Sequence, residues 1–191
     1  MRNATVTRKT LETDISASLT LGGGGCDVST GIGFFDHMLT ALVVHAGFSL
    51  TLRAVGDLEV DGHHTVEDTG IVLGQAFAQA LGERSGIARY GSFFIPMDEA
   101  LAFCSVDVSG RPYLVFDDPF GDVSIGAFDA CLVEEFLRAF AMNAKITLHA
   151  RVLYGKNAHH MAEAVFKALG HALRAASELT GGPVLSTKGV L

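Results

Sequence analysis

The chain has 191 residues, 49% hydrophobic and 18% charged, with 22 Gly, 4 Pro and no Trp. A chain of this length buries enough surface to fold without disulfide or metal, as one domain or as two small halves sharing a core. With 14 Lys+Arg against 21 Asp+Glu, a net charge of −7 and no basic run, it is no partner for nucleic acid or an anionic membrane.

The N-terminal stretch Met1–Thr10 is polar and lacks the apolar core of a signal segment. Ile15–Leu21 alternates as a half-buried strand, and Gly22–Gly25 marks a turn. Phe34–Val44 carries a helical apolar pattern, Phe48–Val55 a strand pattern, and Gly56–Asp57 a turn. A helix over His63–Leu81 follows, with Asp61 as its cap. The second half repeats the plan: a strand over Leu101–Val108, a turn at Gly121–Asp122, a helix over Phe128–Met142 and a strand over Ile146–Leu153. It closes with a helix over His159–Glu178, capped by Asn157. No apolar stretch approaches the roughly 20 residues of a bilayer span. Cys26, Cys104 and Cys131 are odd in number and form no C-x-x-C, so they read as reduced thiols of a cytoplasmic protein.

The chain is internally duplicated. Phe34–Leu39 falls on Leu132–Leu137 and Ala46–Arg53 on Ala144–Arg151 at one spacing. His63–Glu67 falls on His159–Glu163 at a spacing two residues shorter, and Leu73, Gly74 and Phe77 match Leu169, Gly170 and Leu173. The reading is α+β: two strand-strand-helix-strand-strand-helix halves, 1–93 and 94–191, joined near Ser92–Pro96, with helices packed on mixed sheets.

Two copies of H-H-x-x-E open the two closing helices, where chance alone would place roughly 0.02 copies in such a composition. Residues four apart share a helix face and neighbours diverge by about 100°. His63 and Glu67 can therefore grip one ion, and His159 and Glu163 another, while His64 and His160 reach elsewhere. A thiolate-free set with one carboxylate per ion favours six-coordinate Mn²⁺ over Zn²⁺ or Fe²⁺. His37 joins these candidates through its place in the repeat, where its counterpart is Glu135. His45, His149 and His171 show no such pattern. Gly31-Ile32-Gly33 leads to Asp36 instead of a third glycine, so it is no dinucleotide fingerprint, and neither a Walker loop nor a nucleophile elbow is present.

Five stretches carry a family resemblance: Gly33–Leu39, Asp61–Asp68, Ser109–Tyr113, Gly155–His160 and Ser186–Leu191. Together they resemble imidazoleglycerol-phosphate dehydratase, the lyase of histidine biosynthesis, in the form that lacks the phosphatase domain fused to it in some bacteria. The resemblance implies a large cubic homo-oligomer of 24 subunits with two Mn²⁺ ions per active site at subunit contacts. It puts His37, His64, His159 and Glu163 on one ion and His63, Glu67 and His160 on the other. At Glu135 many family members carry a further His for that second ion, so either Glu135 or water serves there. His37, His63, Glu67, His159 and Glu163 would also contact the substrate.

The implied reaction dehydrates D-erythro-imidazole glycerol phosphate to imidazole acetol phosphate. The substrate ring, bound as imidazolate, would expel the side-chain hydroxyl to form a diazafulvene, and a carboxylate would remove the neighbouring C–H proton. The resemblance assigns that base to Glu12, which by itself reads as a surface charge at a strand edge. Asp98 is the candidate for the proton relay. The phosphate would lie among Arg89, Arg111, Ser186, Thr187 and Lys188, where guanidinium forks suit its oxygens. Two other readings fit the histidines: a binuclear metallohydrolase, and a non-catalytic oligomer bridged by metal.

Overall fold

The computed structural model describes residues 2–189. The first half contains β1 (Asn3–Lys9), β2 (Thr13–Thr20), β3 (Cys26–Ser29), α1 (Gly33–Ala46), β4 (Ser49–Gly56) and α2 (His63–Leu81). The second contains β5 (Tyr90–Met97), β6 (Ala100–Asp107), β7 (Tyr113–Phe116), β8 (Ser124–Ile125), β9 (Phe128–Asp129), α3 (Leu132–Ala144), β10 (Thr147–Tyr154) and α4 (Ala158–Ser177). The α+β duplication is as expected, but the order within each half is not. Three strands, not two, precede the first helix of the first half, five precede that of the second, where β8 and β9 form a separate hairpin, and one strand, not two, separates the helices of each half.

Each half builds one four-stranded sheet, in the order β1-β2-β4-β3 and β5-β6-β10-β7. Three strands of each are antiparallel, and the last edge strand runs parallel to its neighbour, β3 with β4 and β7 with β10. The division at 93/94 falls inside β5, which belongs wholly to the second sheet, so the chain changes sheets over residues 82–89. Pro96 looked like a linker signal. It is tolerated because β5 is an edge strand, where a missing N–H costs no ladder bond. The expected helix over Phe128–Met142 starts later, at Leu132. Phe128 instead pairs with Ile125 across a short hairpin turned by Gly126, whose φ is 63°. Phe128 is fully buried, which lent the sequence a helical period it does not use.

One face of each sheet carries the core. Ile15, Ala17, Leu19, Leu50 and Leu52 point inward from the first sheet, and Ala102, Cys104, Val106 and Leu148 from the second. The helices pack between these faces. Helix α1 lies against α4, and α2 against α3, so each helix pair joins one half to the other. A Cβ at Gly170 would sit 2.4 Å from the Leu42 carbonyl oxygen, and one at Gly74 would sit 2.6 Å from that of Phe140. These are equivalent contacts in the duplicated plan. Both bring backbone against backbone, and neither position has room for a side chain. Because Gly62 and Gly70 approach Leu132 and Phe136 in the same sequence direction, α2 and α3 run parallel. Parallel pairing sets helix N-termini side by side.

Cys104 is buried, Cys26 half-buried and Cys131 exposed, and all three are free. No helix among the described residues is long and apolar enough to cross a membrane. We expect Gly170→Ala to lower unfolding stability by about 1–3 kcal/mol, because the added methyl meets backbone that cannot rotate away. Urea denaturation measures this, and an unchanged midpoint would show that the helices separate freely.

Candidate active site

The N-terminal turns of α1 and α4 lie together, and their side chains converge. Asp36 steadies the entry to α1 by accepting from the Thr30 N–H at 2.8 Å and from its hydroxyl at 2.7 Å. Asn157 caps α4, its side chain accepting from the His159 N–H at 3.0 Å. In the other repeat Gly62 occupies the cap position, yet the Asp61 carboxylate still accepts from the His63 N–H at 2.7 Å. Between α1 and α4, Glu163 Oε2 lies 3.6 Å from His37 Nε2 and 3.3 Å from His159 Nε2. Two imidazole nitrogens and a carboxylate oxygen thus lie within 4.8 Å of one another. Burial pushes the Glu163 carboxyl up. Lys167 Nζ at 2.8 Å, with His37 and His159, outweighs burial and holds it below its ordinary value.

The second histidine of each motif turns away, as the helix geometry requires. His64 Nδ1 lies 3.0 Å from Asp57 Oδ2 and 3.8 Å from Glu12 Oε2. His160 Nδ1 lies 2.7 Å from Glu99 Oε2, and its Nε2 is 3.7 Å from Asp98 Oδ2. Hydrogen bonding to Asp57 and Glu99 raises both imidazoles above their ordinary value. Glu99 is correspondingly lowered to about 2, by His160 first and then by the Asn157 N–H. The loops are built for this. Asp98 adopts a φ of 49° in the two-residue turn between β5 and β6, a conformation Asp tolerates better than most residues. That turn sets Glu99 beside His160. In the first half, Thr10 Oγ1 accepts from the N–H groups of Glu12 and Thr13, and the Glu12 carbonyl accepts from the Asp57 N–H. Buried Asp68 ties the same hairpin down through Arg8 and Thr13.

Among the described residues, His37, His159 and Glu163 are the one group of three that converges. The expected fourth ligand of that set, His64, is not with them, because it sits on α2, which pairs with α3 instead of α1 or α4. The other expected set divides the same way. His63 and Glu67 belong to α2, His160 to α4 and Glu135 to the first turn of α3, and these do not close on one point within the chain.

The cationic end lies elsewhere. Arg89 is buried, not an ordinary surface arginine, and it pairs with Asp107 through Nε at 2.7 Å and Nη2 at 3.2 Å. Its third nitrogen donates to the Leu185 carbonyl, and its guanidinium lies 4.7 Å from the Tyr90 ring centroid. Arg111 reaches the same Asp107 at 3.4 Å. Arg89, Tyr90, Arg111, Ser186, Thr187 and Lys188 line an open cavity of about 670 Å³. This cavity is at the start of β5, whereas Glu99 and His160 are beyond its end, so roughly 25 Å of strand separates the two. Asp57, Glu99 and Asp107 were missed by sequence reasoning. Each is one acidic residue in a loop or strand end that belongs to no motif, and Glu99 lies 61 residues from its partner His160.

The family profile described as imidazoleglycerol-phosphate dehydratase matches residues 30–173. The chain is 60% identical over 191 residues to the imidazoleglycerol-phosphate dehydratase of Clostridium botulinum, covering 98% of this chain and 97% of that one. It is 55% identical to the enzyme of Carboxydothermus hydrogenoformans, over the full length of both. Its fold superposes on the imidazoleglycerol-phosphate dehydratase of Staphylococcus aureus with a TM-score of 0.83 at 41% identity, covering 91% of this chain and 97% of that one. The Pyrococcus furiosus structure gives 0.86 at 41% identity, covering 97% and 100%. A duplicated α+β chain with paired H-H-x-x-E helices, matched over its whole length by these proteins, belongs to the imidazoleglycerol-phosphate dehydratase family, hydro-lyases of histidine biosynthesis.

Proposed function

We propose that the chain dehydrates D-erythro-imidazole glycerol phosphate to imidazole acetol phosphate as a Mn²⁺-dependent enzyme, in an active site completed between copies of itself. One observation carries the reading: the cation-lined cavity and the histidine cluster stand at opposite ends of β5. A substrate made of one imidazole ring, three carbons and a phosphate cannot span that distance. Phosphate gripped by Arg89 and Arg111 of one copy would therefore present its ring to the histidines of another. The cubic assembly of 24 subunits that the resemblance implies supplies such neighbours. The cytoplasm suits a biosynthetic enzyme with three free thiols.

The donor chemistry fits the metal. His37, His159 and Glu163 offer two imidazoles and a carboxylate without thiolate, a set suited to Mn²⁺. His64 of a neighbouring copy would complete that set. His63, Glu67 and His160, with Glu135 or water, would form the second. When bound, the ions supply Lewis acidity toward the substrate's ring. The chain's own groups do the rest. Asp107 holds the Arg89 fork in place, and Arg111 and Lys188 bring further positive charge to the phosphate, with Ser186 and Thr187 beside them. Glu12 is half-exposed on a backbone-tethered turn near His64, and its carboxylate serves as the base for the C–H proton next to the carbon that loses hydroxide. Asp98, exposed beside His160, relays a proton to the departing hydroxide, which leaves as water.

Turnover of imidazole glycerol phosphate with Mn²⁺, and its loss on chelation, tests the reading. Hydrolysis of simple phosphate esters with no dehydration would establish the metallohydrolase instead, and Mn²⁺ binding without turnover of either would leave a metal-bridged oligomer. Glu12→Gln should cut the rate about 10²–10⁴-fold, while stability measured by thermal melting stays within about 0.5 kcal/mol. Full activity in that variant removes Glu12 from the mechanism. Co-expressing inactive Arg111→Ala and His159→Ala chains should restore activity, with about a quarter of the mixed sites intact. A site built within one chain would stay dead in every mixture.

A further inference from the structure

The second histidine of each motif has one ring nitrogen already committed. His64 Nδ1 faces both oxygens of Asp57, at 3.0 and 3.2 Å. His160 Nδ1 faces Glu99 Oε2 at 2.7 Å. An ionised carboxylate only accepts, so in each pair Nδ1 carries the proton and Nε2 of the neutral ring carries the lone pair. Each carboxylate sits on a tethered stretch of chain. Glu99 Oε1 accepts from the N–H groups of Asn157 at 2.8 Å and Lys156 at 3.2 Å, immediately before α4. Asp57 is held at its backbone by the Glu12 carbonyl at 3.1 Å.

We infer that Asp57 and Glu99 are matched positioning residues, one in each half, that hold His64 and His160 as the Nδ1–H tautomer with Nε2 left open as a ligand atom. The two differ in sequence context, one following β4 and the other preceding β6, so the duplicated plan reaches the same hydrogen bond by different routes. Such outer carboxylates orient a ligating imidazole and raise its basicity. Asp57 has a second effect. It lies nearer than Glu12 to the same nitrogen, so it accepts the hydrogen bond from His64 Nδ1–H and leaves the Glu12 carboxylate uncommitted. The use of Nε2 rests on the metal reading above. The tautomer does not.

Glu99→Gln tests this by inverting the bond. The amide oxygen stays with the Asn157 and Lys156 N–H groups, so the NH₂ faces His160 Nδ1. A donor there forces Nδ1 to accept and moves the proton to Nε2. Nitrogen-15 NMR of histidine-labelled, metal-free protein, above the titration range of the rings, should show Nδ1–H at His64 and His160. In the variant, His160 alone should switch to Nε2–H. Mn²⁺ titration followed by electron paramagnetic resonance should then show affinity reduced about 10–100-fold. Nε2–H at His160 in the unmodified protein overturns the inference without recourse to any variant. A switched tautomer with unchanged Mn²⁺ affinity overturns the positioning role. If the unmodified protein binds no Mn²⁺, the metal reading falls and the positioning role with it, whereas bound Mn²⁺ with an unswitched tautomer overturns the positioning role alone.

Discussion

Everything functional hangs on how closely two pairs of parallel helices approach. Where Gly170 meets the Leu42 carbonyl and Gly74 meets that of Phe140, backbone touches backbone with no side chain between. A contact of that kind has no rotamers to adjust, so it fixes the relative height of the helices. The first turns of α1 and α4 are set level as a result, and His37 reaches Glu163 across the pair. The N-terminal ends also carry the positive end of each helix dipole, which favours Glu163 as a carboxylate.

Separating the cationic cavity from the histidines has a chemical logic. Arg89 and Arg111 share Asp107, and the pairing keeps two guanidiniums at one place despite their mutual repulsion. If those arginines lay beside Glu163 within the same chain, they would compete for the carboxylate that the proposed metal would use. Placing them at the far end of β5 removes that competition, and in the proposed assembly proximity would be restored only where a substrate bridges the two.

Much of this was legible in the residues. Helical and strand periods located α1, α2, α4, β2, β4, β6 and β10 to within a residue or two, because the strands alternate buried with more exposed residues and the helices carry long apolar stretches. The edge strands were less visible. β1 buries only Val6 deeply, β3 and β7 are four residues long, and β5 carries a proline. The divergence of each His pair followed from the helical angle alone. Its destination did not, since nothing near His160 in sequence points to Glu99 sixty-one residues away. Nor does composition disclose that Arg89 is buried, because its burial depends on Asp107 and on the tail at Leu185. Local pattern reads local structure, and long-range ion pairs lie beyond its reach.

The crossing of helix pairs between halves also governs how the chain folds. Although the sequence looks like two similar modules in tandem, neither can bury its helices alone: α1 needs α4, and α2 needs α3. Partners as far apart in sequence as Leu42 and Gly170, or Gly74 and Phe140, must meet before either pair releases its hydrophobic stabilisation, and closing such loops costs entropy in advance. The halves therefore do not behave as independent folding units. A newly made first half exposes the faces of α1 and α2 until the second is complete, which makes the interval of synthesis between Leu81 and Ser177 the period of greatest risk for aggregation.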